Sequence, residues 1–312
     1  MKAIVATDPA AGLPGLALTE VAQPDAAALA ADESWNFGDV VVEVHASGFT
    51  GNELEWASTW VDRAGHDRTP TIPGHEVAGV VTALSYGTTG LSVGQRVFGL
   101  TDWTRDGTLA EYTVVEARNL APLLGDIDFT TGASVVMSGL TAWQALFDHG
   151  HLEAGQSVLV HGAAGAVGSM GVQLARDAGA HVIGTGRAAH REAALAFGAN
   201  EFVDLDGALA DVGPVDLVFD VFGGEIGRRS VDLVRPGGTF VTVAGMPQGR
   251  PAGGRAVGFI VVPDRAQLVE IAARLRDGRV RSHIGLRTTL DDAASALNAP
   301  HRPSGKIIVQ VR

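Results

Sequence analysis

The chain has 312 residues, 46% of them hydrophobic and 19% charged, with no cysteine and a formal net charge of −12. The missing cysteines exclude disulfides, thiolate zinc sites, iron–sulfur clusters and cysteine nucleophiles. The acidic balance, without a basic cluster, argues against a nucleic-acid partner. There is no apolar run of about 18 residues and no signal-peptide layout at the N-terminus. We therefore expect a cytoplasmic protein that has no membrane partner.

The first part of the chain, up to about residue 120, is predicted to be rich in β-strands. Short runs of β-branched and aromatic residues alternate there with turn residues. The strand candidates are Val40–Val44, Val77–Val81, Gln95–Phe98 and Glu111–Val115. Residues 25–33 are acidic and alanine-rich, which indicates a surface loop or a short helix.

From residue 121 onward, helical windows alternate with buried strands, a pattern typical of βαβ units around a parallel sheet. A helix is predicted over Asp264–Asp277 from its apolar spacing. The strands predicted here are Val158–Val160, His181–Ile183, Val215–Val221, Thr239–Val243, an edge strand at Gly258–Val262 and a final strand at Lys306–Val311. We therefore expect three segments, covering residues 1–120, 121–262 and 263–312, the last returning to the first.

A glycine-rich turn after the strand Val158–Val160 carries the strongest chemical information in the chain. Glycines permit a tight turn and a close approach of the backbone to a pyrophosphate, and the helix that follows presents unpaired amides and the positive end of its dipole. Such a turn is specific when it lies between a strand and a helix, as it does here. The residues predicted to bind the dinucleotide are Gly162, Ala163, Ala164, Gly165, Ala166, Val167 and Gly168.

The end of the next strand predicts NADPH as the dinucleotide. An NAD site usually has a carboxylate about 20 residues after the turn, bonded to the ribose hydroxyls, but the residues here are Thr185, Gly186, Arg187 and Arg191. Their hydroxyl, amide and guanidinium donors suit a 2′-phosphate. Open α/β sheets bind ligands at the carboxyl ends of their strands. The nicotinamide end is therefore expected beside Val221, Phe222, Gly223, Ala244, Gly245 and Met246.

Five further motifs accompany the turn: Pro73–Glu76, Gly94–Gly99, Gly139–Ala142, Gly237–Thr239 and Gly305–Lys306. In this order, over nearly the whole chain, they resemble the medium-chain dehydrogenase/reductase superfamily, and within it the zinc-free, zeta-crystallin-like NADPH:quinone oxidoreductase branch. The resemblance implies an α/β fold with a GroES-like β-rich catalytic domain over 1–120 and a Rossmann domain with a doubly wound parallel sheet over 121–262. It also implies that 263–312 returns to the catalytic domain, that the protein is a homodimer, and that Thr141 and Lys306 contact the cofactor.

The chain departs from the zinc-dependent members of this superfamily at their metal site. Those relatives bind zinc through Cys, His and Cys, whereas the matching positions here are Thr50, His75 and Met137, with Glu76 beside the histidine. A zinc site needs three or four good ligands, and a single imidazole is left. The cysteine-rich loop of the second zinc is also missing. We therefore expect no bound metal.

Without a metal to polarise an alcohol, reduction of an already electrophilic substrate is favoured. The resemblance implies Thr50, Asn52 and Glu53 as catalytic residues; Thr50 or Asn52 would donate to a carbonyl oxygen. Glu53 would either move a proton or hold a loop backbone. The substrate-binding residues are expected to be Trp56, Trp60, Trp103 and Met137. Tryptophans are also ordinary core residues.

The sequence thus predicts a zinc-independent reductase that passes hydride from NADPH to a small-molecule quinone or α,β-unsaturated carbonyl compound. Two alternatives remain open at this point. One is an enoyl reductase or tailoring reductase of a biosynthetic pathway. The other is an NADPH-binding protein with little turnover.

Overall fold

The computed structural model describes residues 1–25, 38–205, 207, 209–300 and 304–312. The loop or short helix predicted for residues 25–33 lies, except for Asp25, outside the described residues. The described strands are β1 (Lys2–Ala6), β2 (Leu16–Glu20), β3 (Asp39–Phe49), β4 (Glu76–Leu84), β5 (Arg96–Leu100), β6 (Tyr112–Glu116), β7 (Leu120–Pro122), β8 (Ser157–Val160), β9 (His181–Gly186), β10 (Glu201–Asp204), β11 (Val215–Asp220), β12 (Val234–Thr242), β13 (Arg255–Gly258), β14 (Ile284–Thr289) and β15 (Lys306–Gln310).

The helices are concentrated in the second half of the chain. They are α1 (Ala57–Trp60), α2 (Phe129–Ser134), α3 (Val136–Trp143), α4 (Ala166–Asp177), α5 (Arg191–Phe197), α6 (Gly224–Ser230), α7 (Arg265–Arg276) and α8 (Ala293–Leu297). A π-helical turn, Gln144–His149, continues α3. None of the helices in the described ranges has the length and apolarity that a membrane crossing requires.

The chain folds into two compact units. Unit 1 contains residues 1–136, 263–276 and 284–312, and unit 2 contains residues 137–262 and 277–283. The first change of unit falls after Val136 rather than at residue 120, because α2 packs on unit 1: its Gly132 lies against Leu123 and Ala78. The segment 277–283 joins unit 2 because the buried amide of Gln173 donates to the Arg281 carbonyl and accepts from the Arg281 amide, at 3.0 and 2.9 Å.

Unit 1 is built on a seven-stranded sheet that is antiparallel apart from the β14–β15 pair. The path of neighbours is β14-β15-β3-β4-β5-β7, and β6 also pairs with β3. Strand β3 is the long central strand, and its Asp39–Glu43 half pairs with β6 while its Ala46–Phe49 half pairs with β15. Its side chains are almost continuously buried, because apolar clusters cover both faces.

Unit 2 is a six-stranded parallel sheet with the order β10-β9-β8-β11-β12-β13. Its central strands are continuous apolar runs, as expected where helices cover a parallel sheet. The strand order reverses between β8 and β11, which defines the switch point where open α/β sheets bind ligands. The segments that follow these two strands are the glycine-rich turn and Val221–Gly223.

The predicted edge strand at Gly258–Val262 is wrong by several residues. Strand β13 pairs with β12 from Arg255 to Gly258 and ends there. The Phe259 amide donates one further hydrogen bond to the Thr242 carbonyl at 3.2 Å. The backbone of Val262 is bonded instead to the Gln144 side chain, which donates to its carbonyl and accepts from its amide. The apolar run of the sequence therefore extends beyond the end of β13. At Val262 its backbone bonds to a side chain and not to a neighbouring strand.

Candidate functional site

The glycine-rich turn is closed by a backbone hydrogen bond from the Gly165 amide to the Gly162 carbonyl, 2.7 Å long. Gly162 has a φ of +63°, a conformation that favours glycine. Helix α4 begins directly after Gly165, and no side chain caps it. The first-turn amides of an α-helix have no intrahelical acceptor, so those at the start of this 12-residue helix suit an anion.

Two glycines of the turn have different surroundings. A Cβ on Gly168 would overlap the carbonyl of Gly162 and approach that of His161, both rigid backbone groups. A Cβ on Gly165 would meet a single atom, the Gly162 oxygen at 3.2 Å. Gly168 is therefore required by the close packing of the helix on the turn. Gly165 has a face that the protein leaves open, which fits the place of a bound pyrophosphate.

A buried hydrogen-bond chain in unit 2 corrects the role expected of Thr185. Its hydroxyl lies 2.7 Å from Nδ1 of His161, whose Nε2 lies 2.8 Å from the Ser230 hydroxyl. Ser230 donates its single proton to the Ile226 carbonyl, so it accepts from Nε2. Nδ1 of the neutral ring then accepts from Thr185, and burial lowers the pKa of His161, which favours this neutral form. Thr185 is fully buried, so its hydroxyl proton is not available to a phosphate.

The exposed arginines at the end of β9 keep donors available. Arg187 lies 3.5 Å from His190 Nε2, and within the described ranges no carboxylate pairs with it. Arg191 gives one N–H to the Phe202 carbonyl at 3.0 Å and lies over that ring. Two histidines that sequence reasoning missed are also here: His190, and His283, which is hydrogen-bonded to the backbone of Ala164 in the turn. Nothing in the local sequence around His283 indicates this contact.

The loop after β11 is shaped by the buried carboxylate of Asp220. Its oxygens accept from the amides of Phe222 and Gly223, at 3.0 and 3.1 Å, and from the Thr242 hydroxyl at 2.8 Å. Phe222 is 44% exposed and Met246, after β12, is 83% exposed. Apolar side chains thus face outward at the two strand ends where the nicotinamide was expected. Val221 lies close to Gly162, and the same two loops contain Gly223, Ala244 and Gly245.

Helix α3 contributes the remaining unit 2 candidates. Met137 and Thr141 are 8% and 5% exposed, and they lie four residues apart, on one face of the helix. Both side chains are therefore buried on the same face of α3.

In unit 1, Lys306 has a buried polar environment. Its ammonium forms an ion pair with Glu76 and donates to the Thr50 hydroxyl at 3.1 Å. Lys306 and Glu76 are 5% and 0% exposed. Two partners of its ammonium group are therefore a buried carboxylate and the residue that follows β3, and the expected contact of Lys306 with the cofactor stays a prediction.

Glu53 holds a loop backbone, one of the two roles considered for it. The side chain is fully buried, and its Oε1 accepts from the Gly74 amide at 2.6 Å. Burial raises the pKa of Glu53 to about 8, against the opposing effects of the Gly74 amide and of Lys306. The carboxyl is thus mainly protonated at neutral pH. Asn52, by contrast, is exposed at the surface of unit 1.

Three aromatic rings form a cluster next to these polar residues. Trp56 stacks on His75 with centroids 6.1 Å apart, and Trp103 lies edge-on to both, at 5.4 and 4.9 Å. Burial lowers the pKa of His75 to about 3, so the ring is neutral, and its Nδ1 lies 3.2 Å from the Thr101 hydroxyl. Trp60 is separate: it lies in the core, and its indole donates to the Leu54 carbonyl. This position corrects the expectation that Trp60 contacts substrate.

The residues at the zinc positions of the relatives do not form a suitable donor set. Within the described ranges, no group of three or more His, Cys, Asp or Glu side chains could hold a metal ion. Thr50 accepts from an ammonium group, and a second cation at that hydroxyl would be repelled. Thr50 and Met137 are also poor zinc ligands.

Comparison with known proteins agrees with this architecture. Residues 36–125 match the family described as alcohol dehydrogenase GroES-like domain, and residues 166–267 match the family described as zinc-binding dehydrogenase. The solved structure of the quinone oxidoreductase from Coxiella burnetii superposes with a TM-score of 0.86 at 24% identity, covering 100% of this chain and 99% of that one. This likeness shows the fold, and the predicted α/β class with a GroES-like and a Rossmann domain is confirmed.

Two relatives by sequence share only part of their length with this chain. The quinone oxidoreductase of Pongo abelii is 32% identical over 215 residues, which are 65% of this chain and 63% of that protein. The spectinabilin polyketide synthase system protein NorB of Streptomyces orinoci is 40% identical over 175 residues, which are 54% of this chain and 8% of that protein.

The chain belongs to the medium-chain dehydrogenase/reductase superfamily, as its motifs predicted, and quinone oxidoreductases are among its relatives by sequence. Proteins of this superfamily are oxidoreductases that bind a nicotinamide dinucleotide. The open face of Gly165 and the amides of α4 fit the pyrophosphate of such a cofactor.

The different surroundings of the two glycines give the first prediction. Gly165→Val is expected to abolish binding of the dinucleotide with little change in melting temperature, because the side chain would occupy the phosphate's place. Gly168→Ala is expected to lower the free energy of unfolding, since overpacking costs about 1–3 kcal/mol. Fluorescence titration and thermal melts measure both effects. Gly213→Ala, where a Cβ meets nothing within 4 Å, is the control. Unchanged affinity in Gly165→Val would show that the turn is not the phosphate cradle.

Proposed function

We propose that this protein is an NADPH-dependent, zinc-independent oxidoreductase that transfers hydride to a quinone or an α,β-unsaturated carbonyl compound. The observation that carries the proposal is the glycine-rich turn at the β8/β11 switch point together with an exposed Arg187, just after β9, that pairs with no carboxylate among the described residues. A dinucleotide on that turn would extend its adenosine 2′-position towards this arginine. The guanidinium can bind a phosphate there through two parallel N–H donors.

The chain's own residues would position the reactants. NADPH supplies the hydride when it is bound. The amides of α4 would hold the pyrophosphate, and Phe222 and Met246 would cover the nicotinamide with apolar side chains. The Thr50 hydroxyl would donate to the carbonyl oxygen of the acceptor, and Trp56 and Trp103 would pack against a flat ring. Asn52 and Met137 are proposed to contact the acceptor, and Thr141 is proposed to contact the cofactor. A solvent proton completes the reduction.

An enoyl or tailoring reductase is the second candidate. The 40% identity to a segment of a polyketide synthase protein favours it. The chemistry is the same addition of hydride to a conjugated carbon, but the carbonyl belongs to a thioester. The two candidates therefore differ in the substrate and share the site.

We also propose that the protein is a homodimer joined through β13. In the described residues this strand pairs only with β12, so its outer edge is open. Beyond it, Ile260 and Val262 are 78% and 57% exposed. An apolar surface beside an open edge is a liability unless another chain covers it. Light scattering is expected to give twice the chain mass of 32.2 kDa; a monomeric mass at micromolar concentration would contradict the dimer.

The second prediction concerns the choice of cofactor. The protein is expected to bind NADPH more tightly than NADH, and the double variant Arg187→Ala/Arg191→Ala should lose most of the difference. Loss of a charge-assisted hydrogen bond costs about 1.5–3 kcal/mol, or roughly a 10- to 100-fold change in Kd. Fluorescence titration measures both cofactors. Arg228→Ala, an exposed arginine paired with Glu225 in the same unit, is the control. Equal affinity of the wild type for both cofactors would disprove the assignment.

The third prediction concerns the reaction. NADPH oxidation should be detected with a panel of quinones, enals and enones, and it should survive exhaustive treatment with EDTA. Enoyl thioesters included in the panel separate the two candidates: faster turnover of thioesters would favour the enoyl reductase. Binding of NADPH without turnover of any acceptor would refute both. One stoichiometric zinc per chain, lost together with activity, would refute zinc independence.

A further inference from the structure

Three buried polar residues and the half-buried Thr50 form a cluster that the sequence did not predict. We call Thr50, Glu53, Glu76 and Lys306 the lysine cluster. All four belong to unit 1, and the Lys306 side chain is 6% exposed. A lysine this deeply buried is tolerated only when its charge is paired. Glu76 supplies that pairing directly. Lys306 also donates to the hydroxyl of Thr50, which the proposed function places beside the substrate.

The strand register places Lys306 beside Thr50. Strand β15 pairs antiparallel with β3, with Ile307 opposite Phe49, so the residue before Ile307 faces the residue after Phe49. The Nζ–Oγ1 distance of 3.1 Å is therefore fixed by two strands of the central sheet. A contact between residues on rigid strands is held more accurately than one between loops.

The absence of a side chain at Gly48 lets Glu76 reach the lysine. Gly48 lies opposite Glu76 in the β3–β4 pair. A Cβ on Gly48 would come within 2.5 Å of Glu76 Oε2, 2.7 Å of its Cδ and 2.9 Å of its Cβ. The Glu76 side chain therefore crosses β3 over this glycine to meet Lys306 on the neighbouring strand. Three adjacent strands thus form the ion pair.

The direction of the Lys306–Thr50 hydrogen bond follows from the groups involved. An ammonium has only donors, so the Thr50 oxygen must accept, and its own proton points away from Lys306. A hydroxyl that accepts from a cation is a stronger donor, because hydrogen bonds in a chain polarise one another. Glu53 adds no full negative charge at neutral pH, since its carboxyl is mainly protonated. The positive charge nearest the hydroxyl is that of Lys306.

We propose that Lys306 is a positioning residue that acts through Thr50, and that the two together form an oxyanion site. The inference rests on the proposed function. When hydride adds to the conjugated carbon of an enone, the π electrons move to the carbonyl oxygen, which becomes an enolate oxygen. The Thr50 hydroxyl donates a hydrogen bond to this oxygen and keeps its proton. The Lys306 ammonium stabilises the negative charge, and a solvent proton then adds at the α-carbon.

The same arrangement serves a quinone. Hydride adds to a ring carbon, the conjugated carbonyl oxygen becomes an enolate oxygen, and solvent protonates it. The ring carbon then loses a proton to solvent while the second carbonyl oxygen gains one, which gives the hydroquinone. In both cases the ammonium–hydroxyl pair supplies the electrostatic stabilisation of a developing oxyanion, which is often the largest single contribution to catalysis. The substrates expected for this site are therefore compounds in which the addition of hydride places a negative charge on a carbonyl oxygen.

Turnover of variants tests this inference. Thr50→Val is expected to lower kcat by about 100-fold, the effect of removing one oxyanion donor, whereas Thr50→Ser should retain most of it. Lys306→Met should lower kcat by roughly tenfold or more, since it removes the charge that strengthens that donor, and Lys306→Arg should restore part of the loss. The double variant Thr50→Val/Lys306→Met should be no slower than Thr50→Val, because Lys306 acts through Thr50.

The control variant is Lys2→Met, which removes the chain's other lysine from an exposed ion pair and should leave kcat unchanged.

The NADPH Kd distinguishes this role from a cofactor contact. It should stay within about twofold of wild type in Lys306→Met, because a lost charge-assisted bond to a phosphate would change it by tenfold or more. An unchanged kcat with a tenfold weaker Kd, or additive effects in the double variant, would overturn the proposal. If Lys306→Met fails to fold because Glu76 is left unpaired, Lys306→Met/Glu76→Met replaces the whole ion pair by apolar side chains. The same loss of kcat is expected from it.

A second measurement does not depend on turnover. The probe is 4-nitrophenol, whose ionised form has a visible absorption band, titrated into the protein with NADP⁺ present. Wild type is expected to bind the phenolate in preference to the phenol, and Lys306→Met and Thr50→Val should lose this preference. Preference for the phenolate in a protein that reduces no acceptor would retain the oxyanion site and refute the proposed function. Reduction of an enone by a protein that shows no such preference would refute the oxyanion site alone.

Discussion

The buried charge of Lys306 constrains the organisation of unit 1. It must have a counter-ion within a low-dielectric interior, and the carboxylate that serves it belongs to a strand two positions away in the sheet. The Glu76 side chain must cross the intervening strand β3 to reach Lys306. It can do so because the residue of β3 at the crossing point is Gly48, which has no side chain. It also requires the C-terminal strand β15 to return to β3 in one register. The polar groups near Thr50 are therefore fixed by the sheet.

Unit 2 depends on a comparable close approach. The carbonyl of Gly162 occupies the space that any side chain at position 168 would need. This contact lets α4 begin directly after the turn that follows β8, with no side chain capping its first amides. Below the turn, the His161–Thr185–Ser230 chain uses three buried polar groups to satisfy one another and joins β8, β9 and α6. These buried side chains are bonded to one another, whereas Arg187 and Arg191 are exposed.

Much of the secondary structure could be predicted, because strands and helices are indicated by the spacing of apolar residues within short stretches of the chain. Alternating and continuous apolar runs identified most strands of both sheets, and the spacing of Leu268, Ile271 and Ala272 identified α7. The end of β13 could not be predicted from an apolar run that continues past it, because the backbone of Val262 bonds to Gln144, more than a hundred residues away in the chain. The boundary at Val136 depended on the packing of α2, which hydrophobic patterning does not specify.

The sequence by itself determined the glycine-rich turn between a strand and a helix, and the place after β9 that has no carboxylate, because each is a matter of residue type at a known spacing. The tertiary structure alone decided which polar side chains are already bonded to other parts of the protein. Thr185 is occupied by His161, Trp60 lies in the core, His283 reaches the turn from a distant segment, and Lys306 is paired with Glu76 and Thr50. Residue type shows which bonds a side chain can make. The register of strands far apart in the chain decides which partner is close enough to make them.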